Sequence, residues 1–294
     1  MLGFSQDHKR PVTPTSSPSP AAKPFVALAI AGYDPSSGAG ITADLQAFHA
    51  HGLFATTAIT ALTVQSTLGV AAVEPVSGDL LRRTLEHLQN DLPPDGIKIG
   101  MLGSAEIVST VAEFLRSIAP RTTSKPPIPI VLDTVLISSS GTRLLAPQAL
   151  QTLREDLLPL VGWATPNWHE LALLSGQAVT SMPQGQSAAT ALMSTYPTLN
   201  LIVTGGDQDP PTDLLCLADG TLQTLYGEHI ESRSTHGTGC AFSTAFLSNL
   251  IFKKTPLDAA KSAKHYVAEA IRRAPPIGHG KGPLNLLWPL HEIR

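Results

Sequence analysis

At 294 residues and 31.0 kDa the chain is long enough for one large α/β domain, and 43% apolar against 15% charged residues supply a core, which excludes disorder throughout. Twenty Lys and Arg against 23 Asp and Glu leave a net charge of −3 with no basic block, so no nucleic-acid partner is expected. Two cysteines, Cys216 and Cys240, exclude a disulfide framework and a four-cysteine zinc site, and the longest strongly apolar run, Phe25 to Ala31, is too short to span a membrane. Residues 1 to 24 carry prolines at 11, 14, 18, 20 and 24 among serines and threonines, which predicts a disordered tail ahead of one domain over 25–294. Met1 to Arg10 lacks the apolar centre of a secretory signal, and a cytoplasmic location is expected. Val26-Ala-Leu-Ala-Ile30 reads as a strand buried on both faces. A helix from about Gly40 to Ala50 follows, with Ile41, Leu45 and Phe48 on one stripe. Ile97-Lys-Ile99 predicts another strand, and Ile107, Val111 and Leu115 predict the helix after it. Further strands run to Leu132, Thr165 and Val203. The runs Leu214 to Leu217 and Leu222 to Tyr226, flanking Asp219-Gly220, predict an antiparallel hairpin on a type I′ turn. One helix starts near Thr238 and the last at Thr255-Pro256, with proline at the first helical position. This alternation predicts a mostly parallel sheet with helices on both faces and a small antiparallel edge, binding ligands beyond the carboxyl ends of its strands.

Four strand ends carry chemistry. Asp34-Pro-Ser-Ser-Gly38-Ala-Gly40 opens a helix and serves either as a tight turn or as a cradle for a ligand. It is neither a Walker loop nor a dinucleotide fingerprint. Asp133 ends an apolar strand, where a carboxylate needs water or a cation. Asn167 and Glu170, three apart at a helix start, read as a capping box or as holders of hydrated Mg²⁺ or phosphate. Finally, Ser234-Thr-His236-Gly-Thr-Gly-Cys240 places an anion nest at a helix N-terminus, with Cys240 in the first turn, where a thiolate is favoured. Cys216 reads as a buried structural cysteine. His49 and His51 face different ways on a helix and give no metal site.

The order of these segments resembles the hydroxymethylpyrimidine and phosphomethylpyrimidine kinases of thiamine biosynthesis, in the ribokinase-like group, over about residues 25 to 288. The resemblance rests on Ala29 to Leu45, Ile59 to Gly69 with Gln65, Lys98-Ile-Gly-Met101-Leu, Val131-Leu-Asp133-Thr-Val135, Thr165-Pro-Asn167-Trp-His-Glu170, Thr235 to Cys240 and Gly278 to Pro283. It implies a ribokinase-like three-layer sandwich. It also implies a pyrimidine pocket of Gly32, Asp34, Gln65, Met101 and Val135, with Gln65 bonding the aminopyrimidine edge. Asp133 and Glu170 would hold Mg²⁺, and Asn167, Thr204, Gly206 and His236 would lie on the nucleotide side. Gly237, Thr238 and Gly239 would form the anion hole, and Cys240 would be the base. The chain departs from the family at Thr204-Gly-Gly-Asp207, where Lys-Gly-Gly-His is usual, and at Ser37, where glycine is common.

The resemblance therefore implies ATP-dependent phosphorylation of 4-amino-5-hydroxymethyl-2-methylpyrimidine and then of its monophosphate. Mg²⁺ is the expected cofactor, and a homodimer is expected. The alternatives are a pyridoxal kinase of the same fold and, because Thr204 replaces a lysine, a catalytically weak pyrimidine sensor.

Overall fold

The computed structural model describes residues 23–119, 127–138, 141–206 and 208–291. The proline-rich tail, but for its last two residues, and Asp207 lie outside the described residues. The chain runs β1 (Val26–Tyr33), α1 (Gly40–Ala50), β2 (Phe54–Ser66), β3 (Gly69–Pro75), α2 (Gly78–Asp91), β4 (Gly96–Ile99), α3 (Ala105–Ile118) and β5 (Ile130–Leu132). It continues through α4 (Pro147–Thr152), β6 (Trp163–Ala164), α5 (Trp168–Ser175), α6 (Met182–Thr195), β7 (Asn200–Val203), β8 (Thr212–Cys216), β9 (Leu222–Tyr226), α7 (Thr238–Ile251), α8 (Pro256–Arg272) and α9 (Trp288–His291).

The strands form one sheet in the order β3-β2-β1-β4-β5-β6-β7-β8-β9. Pairing is parallel from β2 through β7 and antiparallel at β2–β3, β7–β8 and β8–β9. Antiparallel strands thus finish both edges, where the sequence pointed to one. β1 shows why the sheet is covered twice. Its period of two sends Leu28 and Ile30 into the core beneath α2 to α6, and Ala27, Ala29 and Ala31 into the core beneath α1, α7, α8 and α9. The small alanines let α1 and α7 approach the sheet closely, and that brings both helix N-termini to the carboxyl end of β1.

The predicted α1, α3, α7 and α8 appear, and Thr255 caps α8 by accepting from the Asp258 amide at 3.2 Å. The β8–β9 hairpin also appears, but not on a type I′ turn. That turn needs positive φ at both central residues. Asp219 has none; instead Gly220 takes φ +90° and donates its N–H to Leu217 O at 2.9 Å. No helix among the described residues is long and apolar enough to cross a membrane.

Candidate active site

The carboxyl ends of the parallel strands open into one cleft of about 1770 Å³, and every site residue implied by the family resemblance lines it. Asp34, just past β1, builds the first wall. Its Oδ1 accepts from the Ser36 amide (2.8 Å) and hydroxyl (2.6 Å), and its Oδ2 accepts from the Ala39 amide (2.9 Å) and lies 2.8 Å from His236 Nε2. Burial alone would raise the Asp34 carboxyl, but the bonds from His236 and Ser36 hold it below its ordinary value. The loop turns through Ser37 at φ +60°, where the family's usual glycine would sit without strain and a serine costs about 1 kcal/mol.

The second wall is the N-terminus of α7. Gly237 precedes it at φ +86°, and a Cβ there would lie 1.9 Å from Gly38 O, so the two glycine loops meet backbone to backbone. The left-handed Gly237 followed by helical residues turns the first amides of α7 toward the cleft, and these find no acceptor within the helix. Cys240 stands in that first turn with the Gly40 amide donating toward its sulfur.

Beneath the two walls lies a buried charge network. Lys98, from the middle of β4, has no exposed surface, and its Nζ donates to both oxygens of the equally buried Asp44, at 2.9 and 3.0 Å. It also lies 3.4 Å from Asp133 Oδ2. Thr244 Oγ1 donates to Asp44 Oδ1 (2.8 Å) and Ser243 Oγ to Asp133 Oδ2 (3.2 Å), both from α7. Burial would strip the proton from Lys98, but the Asp44 charge outweighs it and raises the pKa above the usual lysine value. The cation that the Asp133 carboxylate requires is therefore built in.

This network overturns one expectation. The helix N-terminus was expected to lower the Cys240 thiol pKa. Instead burial pushes it above its ordinary value; Lys98 and the Gly40 amide pull it down, but Asp133 and Asp44 add to the burial. These surroundings favour the neutral thiol over the thiolate. Iodoacetamide should accordingly modify Cys240 at pH 7.5 at least about tenfold more slowly than a free thiol, with the rate still rising above pH 9. Rates read by mass spectrometry in a Cys216→Ser background check this, and a fast reaction levelling off below pH 7 would show a thiolate instead. Cys216 itself is buried, with its pKa pushed up to about 12 by that burial, as a structural cysteine should be.

Asn167 and Glu170 form the capping box of α5. Asn167 Oδ1 accepts the Glu170 amide and Glu170 Oε2 accepts the Asn167 amide, both at 2.9 Å. Glu170 Oε2 also accepts from Thr134 Oγ1 (3.0 Å). Burial, opposed by the Asn167 amide and aided by the charge of Asp133, raises the Glu170 carboxyl to about 8. Among the described residues no three ligating side chains converge on one metal position. A Mg²⁺ site would therefore consist of one or two carboxylates, water and phosphate oxygens, which is the usual composition for this ion in phosphoryl transfer. Asp133 fits that role, because its Oδ1 makes no hydrogen bond among the described residues and lies 3.8 Å from where a Cβ on Gly239 would project. Glu170, whose Oε2 is engaged by the cap and Thr134 while Oε1 has only the Leu136 amide at 3.5 Å, fits an outer position.

Thr204 follows β7 and donates its amide to Pro166 O (2.8 Å); Gly205 donates its amide to Asp213 Oδ1 (2.9 Å). Lys264 Nζ of α8 grips the other oxygen of Asp213 at 2.6 Å and lines the cleft. A cation thus stands beside the loop that lacks the family's lysine. Asp213 and Lys264 were not singled out from the sequence, and Lys98 and Asp44 entered only as members of the family motifs, with no role assigned. A lysine flanked by isoleucines in a short buried strand was the one available signal; the others depend on contacts between distant segments.

The profile of the phosphomethylpyrimidine kinase family matches residues 34–285, which spans both glycine loops, the buried lysine and the Asp133 strand end. The chain belongs to this family. A hydroxymethylpyrimidine/phosphomethylpyrimidine kinase of Haemophilus influenzae is 41% identical over 264 residues, covering 88% of this chain and 95% of the relative. The Synechococcus elongatus protein of the same name is 38% identical over 90% of this chain and 98% of its own. Among solved structures, the Staphylococcus aureus pyridoxal kinase bound to AMP-PCP and pyridoxal superposes with a TM-score of 0.78 at 29% identity, covering 90% of this chain and 94% of that one. The phosphomethylpyrimidine kinase of Clostridium difficile 630 superposes with a TM-score of 0.72 at 32% identity, covering 84% and 99%. As a member of this family of phosphotransferases, the chain has the ribokinase-like fold that the sequence pattern implied.

Proposed function

We propose that this family member transfers the γ-phosphoryl group of ATP to the hydroxymethyl oxygen of 4-amino-5-hydroxymethyl-2-methylpyrimidine, and then to the phosphate of the product. The observation that carries this reading is that Cys240 and the first residues of α7 line the same cleft as Gly32, Gln65 and Met101. Phosphoryl transfer asks little covalent work of the protein and much of placement and charge. Gly32 lets Met101 pack directly against the strand end: a Cβ there would meet the Met101 side chain at 2.4 Å. Met101 and Val135 supply apolar contact, and Gln65 reads the edge. The amides from Gly237 to Gly239 hold the γ-phosphoryl oxygens, and Cys240 takes the alcohol proton. Asn167, Thr204 and Gly206 border the nucleotide, with Lys264 supplying charge beside Thr204, whereas His236, expected on that side, lies within hydrogen-bond distance of Asp34 and Gln65 of the pyrimidine pocket. Asp133 and, through water, Glu170 are the residues that would hold Mg²⁺, which neutralises phosphate charge when bound.

Two further parts of the reading concern context. A homodimer is supported by Leu62, Val64 and Leu68, which stay exposed on and beside the projecting ends of β2 and β3. A cytoplasmic location fits the two free cysteines and the family. The chain from 25 onward acts as one kinase domain, with the preceding residues as a tail.

Pyridoxal is the second substrate to weigh, because a pyridoxal kinase superposes on this chain with a TM-score of 0.78. ADP release measured with the hydroxymethylpyrimidine, its monophosphate and pyridoxal separates the readings. The pyrimidine alcohol is expected to show at least about tenfold higher kcat/KM than pyridoxal. A reversed ratio would make the chain a pyridoxal kinase, and ligand binding without ADP release would make it a sensor.

A further inference from the structure

The hydrogens around Gln65 are more constrained than its heavy atoms suggest. Its Nε2 lies 2.9 Å from His236 Nε2, and its Oε1 lies 3.3 Å from Thr63 Oγ1. His236 Nε2 is also 2.8 Å from Asp34 Oδ2, a carboxylate that takes three further hydrogen bonds, two from Ser36 and one from the Ala39 amide. An ionised carboxylate only accepts, so His236 Nε2 carries the proton and donates. On the other side, Thr63 Oγ1 gives its single proton to Tyr33 O at 2.9 Å, so toward Gln65 it only accepts. With the amide as drawn by its heavy atoms, two donors meet at His236 and two acceptors meet at Thr63. Exchanging the isosteric ends of the amide repairs both contacts at once. The Gln65 carbonyl then shares the single His236 Nε2–H with Asp34 Oδ2 in a three-centre bond, in place of two opposed donors, and the Gln65 N–H donates to Thr63.

We propose that Asp34, His236 and Thr63 are specificity-determining positioning residues that lock the polarity of the Gln65 amide. Carbonyl on the His236 side and N–H on the Thr63 side leave one carbonyl lone pair and one N–H for a ligand, in a fixed order. The edge that fits is a heterocycle bearing an amino donor next to a ring-nitrogen acceptor, with the amino group toward His236. An edge that places an acceptor-only oxygen opposite the carbonyl, as a phenolate ring does, meets a repulsive pair that cannot be relieved by turning the amide, because turning it sets two donors against each other at His236. Discrimination thus comes from a buried contact that the wrong ligand leaves unsatisfied.

This inference deepens the proposed pyrimidine kinase reading and rests on it, so its test reads binding as well as turnover. Affinities of the hydroxymethylpyrimidine and of pyridoxal are measured by calorimetry without nucleotide, and kcat/KM for both by ADP release, on wild type, Thr63→Val, Thr63→Ser, His236→Phe and Gln65→Leu. Loss of the acceptor in Thr63→Val is expected to lower the pyrimidine-to-pyridoxal affinity ratio about fivefold, and loss of the donor in His236→Phe roughly tenfold. Thr63→Ser should keep the wild-type ratio. In a Gln65→Leu background neither change should move the ratio further, because the group they orient is gone. A ratio unchanged in Thr63→Val, or an equal shift with and without Gln65, overturns the proposal. Thr63 sits on a partly exposed strand, so its variants decide the matter even where His236→Phe fails to fold. A wild type that binds the pyrimidine selectively but transfers no phosphate would sink the kinase reading and leave this one standing.

Discussion

Replacing Cys240 with alanine is expected to lower kcat about 10³-fold while the affinity for the pyrimidine alcohol stays within about twofold. The side chain is small and sits in the first turn of α7, so its loss leaves the amides of the nest and the ring-binding wall in place. What goes is the group proposed to take the proton. The preference for the neutral thiol sets the terms of its action. Lys98 and the Gly40 amide favour the thiolate, while Asp133 and Asp44 oppose it. A divalent cation beside Asp133 would cancel one of the opposing charges, so activation belongs to the loaded enzyme. Because the phosphoryl-transfer transition state is loose, the proton can leave late, and a thiol that ionises only after the cleft fills is sufficient. With Mg-ATP saturating, kcat is accordingly expected to rise with pH. Single-turnover measurements alongside calorimetric binding decide the question. A kcat within tenfold of wild type would remove Cys240 from the mechanism and leave the backbone amides as the working part.

The second large effect concerns stability. Lys98→Met should destabilise the fold by about 3–5 kcal/mol, because it leaves the Asp44 carboxylate buried with no counter-charge and takes the nearest cation from Asp133. Adding Asp44→Asn should return most of that loss: an amide carries no charge to bury and can still accept from Thr244. Urea unfolding of the single and double variants gives both numbers. The double variant should fold and still turn over slowly, since Asp133 will have lost the partner that fixes it. If the single variant is as stable as wild type, the lysine is not the counter-ion that holds the network together.

Much of this architecture was legible in the sequence because the physics behind it is local. β1 announced itself as an uninterrupted apolar run, α8 by Thr255-Pro256 with Asp258 behind, and the α7 entrance by Gly237 and Gly239. The β2–β3 arm was not read as strands. Beyond Ala61 the arm leaves the main core: Leu62, Val64 and Leu68 stay exposed, and Val70 and Val73 pack only against the small cluster of Ala61, Met101 and Leu144. The hairpin was right and its turn wrong, since Asp-Gly suits both a type I′ turn and a turn that ends on a left-handed glycine. At the site, residues that meet a ligand through glycine-rich strand ends could be named in advance. Those that act through other side chains could not. Lys98 reads as one charge in an apolar strand until Asp44 on α1 and Asp133 on the next strand are brought beside it. The acidity of Cys240 is lost to the sequence for the same reason: a helix N-terminus is visible in the letters, whereas two neighbouring carboxylates and the burial around them are not.

The abutment of Gly237 on the Gly38 carbonyl has a consequence for how such a cleft can vary. A Cβ at Gly38 would strike the His236 ring at 2.2 Å, just as one at Gly237 would strike the Gly38 carbonyl. Each loop is therefore the mould of the other, although most of the domain separates them along the chain. A chimera that drew one loop from a divergent homologue and kept the other would inherit mismatched halves of a single casting. Divergence in this family should therefore proceed around the pair, with both glycines retained or both surroundings rebuilt in concert.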